Sequence, residues 1–337
     1  MLRHREDLRP LFFHAVYFGL LALAFQRGVV GWWSVPLVML LCVTSFQGAV
    51  QTHNAIHSPV FRRRWPNKVY QVVLTLIYGH PVSSYVPGHN LSHHKHVQTR
   101  RDVMRTTKTR FRYNGFNVLF FFLSVGPSIM RADSQYMFVM RKRHPRWFRQ
   151  AVTEFSILMV VQVALLIVDW RAFLVFWLLP HLYAQWGIVT MNLLQHDGCD
   201  AESEYNHSRN FVGPVLNWLT FNNGYHGIHH DHPPLHWSLT PAAHRERYGG
   251  KIHPGLEQPS LPAYAWTAFV LGRRLRYDGV PLVLPEEGPD ESWLPRPDQT
   301  LADLGAETLD PTAPHPQDSG HFRAALPRTI DDTPGEA

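Results

Sequence analysis

The sequence predicts an all-α integral membrane protein with two transmembrane hairpins, four crossings in all. Interfacial or re-entrant helices and a cytoplasmic histidine-rich domain complete it. Three observations carry this: 45% hydrophobic against only 17% charged residues over 337 positions, apolar stretches that come in closely spaced pairs, and Lys/Arg clusters confined to the segments between the pairs. The mean hydropathy of -0.18 averages two unlike parts. From Val280 to Ala337 there are 12 acidic and 3 basic residues with 10 prolines, so the remaining chain carries a net +15. A body both basic and apolar suits a membrane protein with cationic cytoplasmic loops and argues against a nucleic-acid partner.

The first hairpin joins Leu11–Phe25 to Val30–Val50 across Gln26-Arg27-Gly28. Ala22-Leu23-Ala24 has the A-x-A form of a signal cleavage site, but the immediate second stretch favours a retained helix. The second hairpin joins Phe155–Val168 to Ala172–Leu194 across Asp169-Trp170-Arg171. Between them, Val69–Val86 and Phe116–Met130 are shorter or broken by Gly79, Pro81 and Pro87 and by Gly126-Pro127. They read as re-entrant or interfacial segments, because a full crossing there would place neighbouring basic loops on opposite sides. Clusters at Arg62–Arg64, Arg100–Arg112 and Arg141–Arg149 orient those loops, both termini and the histidines toward the cytoplasm. The membrane-bound domain spans residues 1–280, and the acidic, proline-rich tail 281–337 is expected to be disordered.

Two cysteines, Cys42 and Cys199, form neither a disulfide scaffold nor a CxxC pair, which argues against iron–sulfur and Cys-type zinc sites. Histidine is the unusual residue, with 22 in the chain. His53 and His57 are spaced i, i+4 at the end of the second crossing, and His89 and His93 repeat that spacing with His94 alongside. His226, His229 and His230 form a third group, and His196 ends the fourth crossing after Asn192. On a helix, i and i+4 place two imidazoles on one face, one turn apart, as two ligands of one metal require. Nine imidazoles without thiolates suit iron, zinc or copper, and they are too many for one ion but enough for two with four or five ligands each. Asp197 and Asp231, beside candidate ligands, are expected to orient imidazoles by hydrogen bonds.

The order and spacing of these boxes resemble the membrane-bound fatty acid desaturase superfamily, over roughly Leu11 to Trp237. The resemblance implies that His53, His57, His89, His93, His94, His196, His226, His229 and His230 bind two iron ions, with Asn192 reaching one through water. It also implies O2-dependent desaturation of the acyl chain of a fatty acid or lipid. The alkane hydroxylases share similar spacing, and their NxxEHxG element is near Asn192 to Gly198, so hydroxylation or ketolation stays open. A metal transporter or sensor is disfavoured because the boxes gather at one membrane face. No HExxH element points to a zinc hydrolase. No dinucleotide-binding signature is present, so electrons are expected from a separate ferredoxin, rubredoxin or cytochrome b5-type donor, docking on the basic Arg100–Arg112 loop.

Overall fold

The computed structural model describes residues 1–292 and is mostly helical. Five helices are long and apolar enough to cross a membrane: Arg5–Arg27, Gly31–His57, Asn114–Arg143, Pro145–Val168 and Trp170–His196. We call α1 Leu8–Arg27, α2 Ser34–His57, α3 Arg64–Tyr78, α4 the π-helical turns Pro87–His93, α5 Asn114–Arg143, α6 Pro145–Val168 and α7 Trp170–His196.

α1 stops at Gly28, whose φ of 66° ends the helix. α2 then returns beside it and packs along α7 and α3. Asp169 makes the second tight turn by accepting hydrogen bonds from the backbone N–H of Arg171 and Ala172, capping α7. Both hairpin turns lie at the ends remote from His57 and His196, so α2 and α7 end together.

α3 closes on Gly79, at φ 75°, where an added Cβ would sit 2.4 Å from the His181 ring. His181 precedes His196 by fifteen residues of α7, about 22 Å at 1.5 Å per residue. The chain therefore runs down the bundle along α3, turns at Gly79 and doubles back to His89. This matches the interruption expected at Gly79 and Pro81.

The other intermediate segment differs from expectation. α5 runs unbroken for 30 residues through Gly126 and Pro127. Its neighbours supply the packing that offsets the missing Pro127 N–H, with Phe121 and Val125 fully buried against Ala184 and Ile188. Likewise α6 begins at Pro145, ten residues before the apolar stretch that marks it.

Beyond α7, a short parallel ladder pairs Asn210–Phe211 with Glu257–Gln258. Further helices follow, among them α8 Pro214–Leu219, α9 His226–Asp231 and α10 Thr240–Tyr248. Phe221 and Asn222 adopt φ of 49° and 59°, and Asn222 Nδ2 donates to the Trp237 carbonyl at 2.9 Å. This tightly held turn delivers His226 to the ends of α2 and α7. Pro285, Glu287, Gly288, Asp290 and Glu291 contact the 100–110 loop, whereas 293–337 fall outside the described residues.

Candidate metal centre

All nine box histidines converge where α2 and α7 end. They divide into two clusters, His53, His57, His89, His94 and His229 in one and His93, His196, His226 and His230 in the other, with potential ligand atoms within 4.8 Å of one another in each. The clusters abut, since the His94 and His230 rings stack 4.4 Å apart.

The division follows the winding of each element. His53 and His57 sit one α-helical turn apart on α2 and share a cluster, as their spacing predicts. α4 is π-helical, wound more widely than an α-helix with i→i+5 hydrogen bonds, and His89 meets His94 just beyond its end, Nε2 to Nε2 3.0 Å. His93, the expected partner of His89, turns to the other cluster. On α9, His226 and His230 share one cluster while His229 points to the other.

The fit to metal ions can be judged from the nitrogens themselves. His196, His226 and His230 hold their Nε2 atoms 2.8–3.1 Å apart. Metal–imidazole bonds of about 2.1 Å at right angles separate neighbouring nitrogens by about 3 Å. His57 Nε2 and His93 Nε2 are buried without a hydrogen-bond partner, which a bound cation would satisfy. Burial above all, and then the neighbouring imidazoles, push His89, His94, His226, His229 and His230 well below the usual imidazole range. All five are therefore neutral at pH 7, the state in which they can ligate. The residues present fit two ions, with five and four imidazole donors.

Surrounding groups select which nitrogen of each ring points inward. His93 Nδ1–H donates to Asp102 Oδ2 at 3.0 Å, and both side chains are fully buried. Asp102 is itself held by the backbone N–H of Gln98 at 3.0 Å and of Met104 at 2.8 Å. His196 Nδ1–H donates to the His207 carbonyl at 3.3 Å, and His53 Nδ1–H to Asn54 Oδ1 at 3.3 Å. Each such bond leaves Nε2 as the free donor.

The two expected carboxylates are placed otherwise. Asp197 binds Arg274 at 2.5 and 2.7 Å and touches no imidazole of either cluster. A buried carboxylate next to a buried guanidinium pairs with it before any neutral ring. Asp231 accepts from Arg247 at 3.0 Å and Tyr248 at 2.9 Å, and reaches the centre only through His207, 3.4 Å away. Asp102 was not legible in the sequence, because nothing at nine residues after His93 marks it. Asn192 donates to the Met104 carbonyl at 2.8 Å and lines a cavity beside the clusters. Of the remaining histidines, His236 pairs with Asp7 at 3.1 Å and His244 with Glu257 at 2.8 Å, away from both clusters.

That cavity, about 300 Å³, touches His53, His89 and His226. It runs between α5 and α7 past Phe122, Ile129, Ile188 and Val189. An apolar cavity against a metal centre is the arrangement that accepts a hydrocarbon segment.

The basic loop, expected as a docking surface, is already engaged. Arg105, with its side chain 4% exposed, pairs with Glu287 and with Asp290, Lys108 pairs with Asp290 at 2.8 Å, and Arg101 lies 3.6 Å from Glu291. Burial pushes the Asp290 carboxyl up, but hydrogen bonds from Lys108, Ser128 and Arg105 outweigh it and bring it down to about 2. Glu287, Asp290 and Glu291 thus meet the loop's charge from within the chain.

No curated relative matches the chain. The fatty acid desaturase family model matches residues 30–254, most of the chain and all nine box histidines. The protein belongs to the fatty acid desaturase family.

Proposed function

With that membership as premise, we propose that the protein is a membrane di-iron oxidoreductase that uses O2 and external electrons to desaturate the acyl chain of a fatty acid or lipid. The observation that carries it is the gathering of nine imidazoles into groups of five and four at the wall of an apolar cavity. Once bound, two irons supply the power to activate dioxygen and take hydrogen from an unactivated C–H bond. Everything else falls to the chain. His53, His57, His89, His94 and His229 hold one ion and His93, His196, His226 and His230 the other. Asp102, the His207 carbonyl and Asn54 keep Nε2 of three rings turned inward. Asn192, held by the Met104 carbonyl, lines the cavity one helical turn before His196, from where it would position a water against that ion. Phe122, Ile129, Ile188 and Val189 exclude bulk water and hold the chain segment at a set distance, which decides whether a second hydrogen leaves the neighbouring carbon.

Parity supports a four-crossing arrangement. α2 and α7 end side by side at the clusters, and α6 and α7 form a tight hairpin, so α6 starts at that same face. α5 precedes α6 by a single residue, His144, and its own start follows the basic 100–112 loop. Four crossings, α1, α2, α6 and α7, then leave every basic loop on the cytoplasmic side, with α3 re-entrant and α5 lying along the interface. Electrons come from a ferredoxin, rubredoxin or cytochrome b5-type protein. Exposed Arg141, Lys142 and Arg146 offer it a cationic surface that the described residues leave uncovered.

The test is metal content and product together. Purified protein should carry about two irons per chain, as two imidazole clusters require, and membranes containing it should gain lipids lighter by two hydrogens. Lipids heavier by one oxygen would make it a hydroxylase. Zinc alone, or no lipid product with a competent donor, would sink the oxidase reading.

A further inference from the structure

The cavity that begins at the histidines becomes polar at its other end. Tyr78, His80, Asp133 and Gln185 line it there. Gln185 lies ten residues before Gln195 on α7, about 15 Å further along the helix. Two of these groups are already bonded, Gln185 Nε2 donating to the Gly79 carbonyl at 3.0 Å and His80 Nδ1–H to the Pro81 carbonyl at 3.1 Å. Asp133 is partly exposed, and its Oδ1 is buried without a hydrogen-bond partner. Among the described residues no cation pairs with it.

The position on α5 makes this more pointed. Phe122, Gly126, Ile129, Met130 and Asp133 follow i, i+4, i+7, i+8 and i+11, one stripe facing the cavity. Four of the five are apolar or small, and Asp133 ends the stripe. A leucine would complete that apolar wall, whereas a carboxyl oxygen buried without a partner is unfavourable. The arrangement is favourable when the occupant of the cavity brings the missing hydrogen bond. Met130, 71% exposed on the same stripe, marks the side where the cavity meets the apolar surroundings of α5.

We propose that Asp133 is a specificity-determining residue that accepts a hydrogen bond from a hydroxyl group on the substrate, at the end of the chain remote from the carbon attacked. The substrate class is then a long-chain alcohol or hydroxylated lipid rather than an undecorated hydrocarbon chain. A hydroxyl fits better than an ammonium group, because the other polar groups there are neutral and desolvating a full charge costs far more than desolvating an alcohol. The inference rests on the cavity being the substrate channel of the proposed oxidase.

Binding tests it without turnover. Full-length protein in phosphatidylcholine nanodiscs would be titrated with decanol, its methyl ether and decylamine, following the thermal unfolding midpoint. Decanol should bind about tenfold more tightly than the ether, which keeps the oxygen but loses the donor. Asp133→Leu should abolish that preference, and Asp133→Asn, which keeps an acceptor, should retain it. Equal binding of alcohol and ether, tightest binding of the amine, or a preference surviving in Asp133→Leu would overturn the proposal. Alcohol preference in a protein that oxidises no lipid would defeat the proposed function alone. Turnover of plain acyl chains with no such preference would defeat this inference alone.

Discussion

The two histidine clusters lie side by side yet are held by different means. In the four-histidine cluster, His93 leans on a fully buried carboxylate, Asp102, and His196 on a backbone carbonyl. In the five-histidine cluster only His53 has such support, from the Asn54 amide, and the extra ring makes up the donor set. A site can be organised by the partners behind its ligands or by the number of ligands, and this chain uses one approach on each side. The first depends on few groups that must each be right, and the second tolerates a loss.

The largest effect that separates the two should come from removing one ligand on each side. His93→Ala leaves three donors and loses that ion, so metal content by mass spectrometry should fall from about two to about one per chain and activity should vanish. His229→Ala leaves four and should retain a weakened second ion, recoverable by added iron. Equal losses in both variants would erase the contrast.

Next comes the carboxylate behind His93. Asp102→Asn should cost about 10- to 100-fold in affinity for the ion of the four-histidine cluster while the other ion stays bound, as chelator competition would read. Asp197→Asn is the control. It strands Arg274 beside a neutral amide, so it should lower stability by about 3 kcal/mol and leave metal affinity in the folded protein unchanged. Weakened metal binding in Asp197→Asn would reinstate the expectation drawn from the sequence.

Acidity should act on both clusters at once. The imidazoles of His89, His94, His226, His229 and His230 are held well below their unfolded value. The unfolded chain therefore takes up protons first as pH falls. Metal-free protein should be equally stable above about pH 7 and lose stability progressively below about 6.5, the ordinary imidazole value. A metal-free unfolding midpoint that rises on acidification would contradict the buried, neutral state of these rings.

The smallest effect concerns the tail. Arg105, gripped by Glu287 and Asp290, also donates to the Asp102 carbonyl at 3.3 Å, so the tail braces the loop that holds His93. Glu287→Gln with Asp290→Asn should cost about 1 kcal/mol, since both carboxylates are partly exposed. Limited proteolysis should then cut near residues 285–292, and only the four-histidine ion should exchange faster. Faster exchange at both ions would mean that the tail supports the domain generally.

Much of this centre was legible in advance because its parts are local. The i, i+4 pair on α2 follows from helix geometry, and the paired apolar stretches follow from length and composition. The π winding of α4 was not legible, because it depends on the packing around His89 and His94. Nor was the continuity of α5 through Gly126-Pro127, where buried neighbours override two residues that would end an isolated helix. Asp102 stayed hidden because its importance is a contact, not a spacing. The pairing of Glu287 and Asp290 with Arg105 was not legible either, because it joins charges more than 180 residues apart in the chain.

The sequence by itself therefore determined the paired apolar helices, the membrane character, the family and the nine candidate ligands, since each is a property of neighbouring residues and their periodicity. Tertiary structure alone decided how nine imidazoles divide into five and four, which carboxylate stands behind them, and which cations Glu287 and Asp290 meet. Those outcomes depend on which groups meet after burial. A buried charge or ring nitrogen settles on the best partner within reach, and that partner can lie anywhere along the chain.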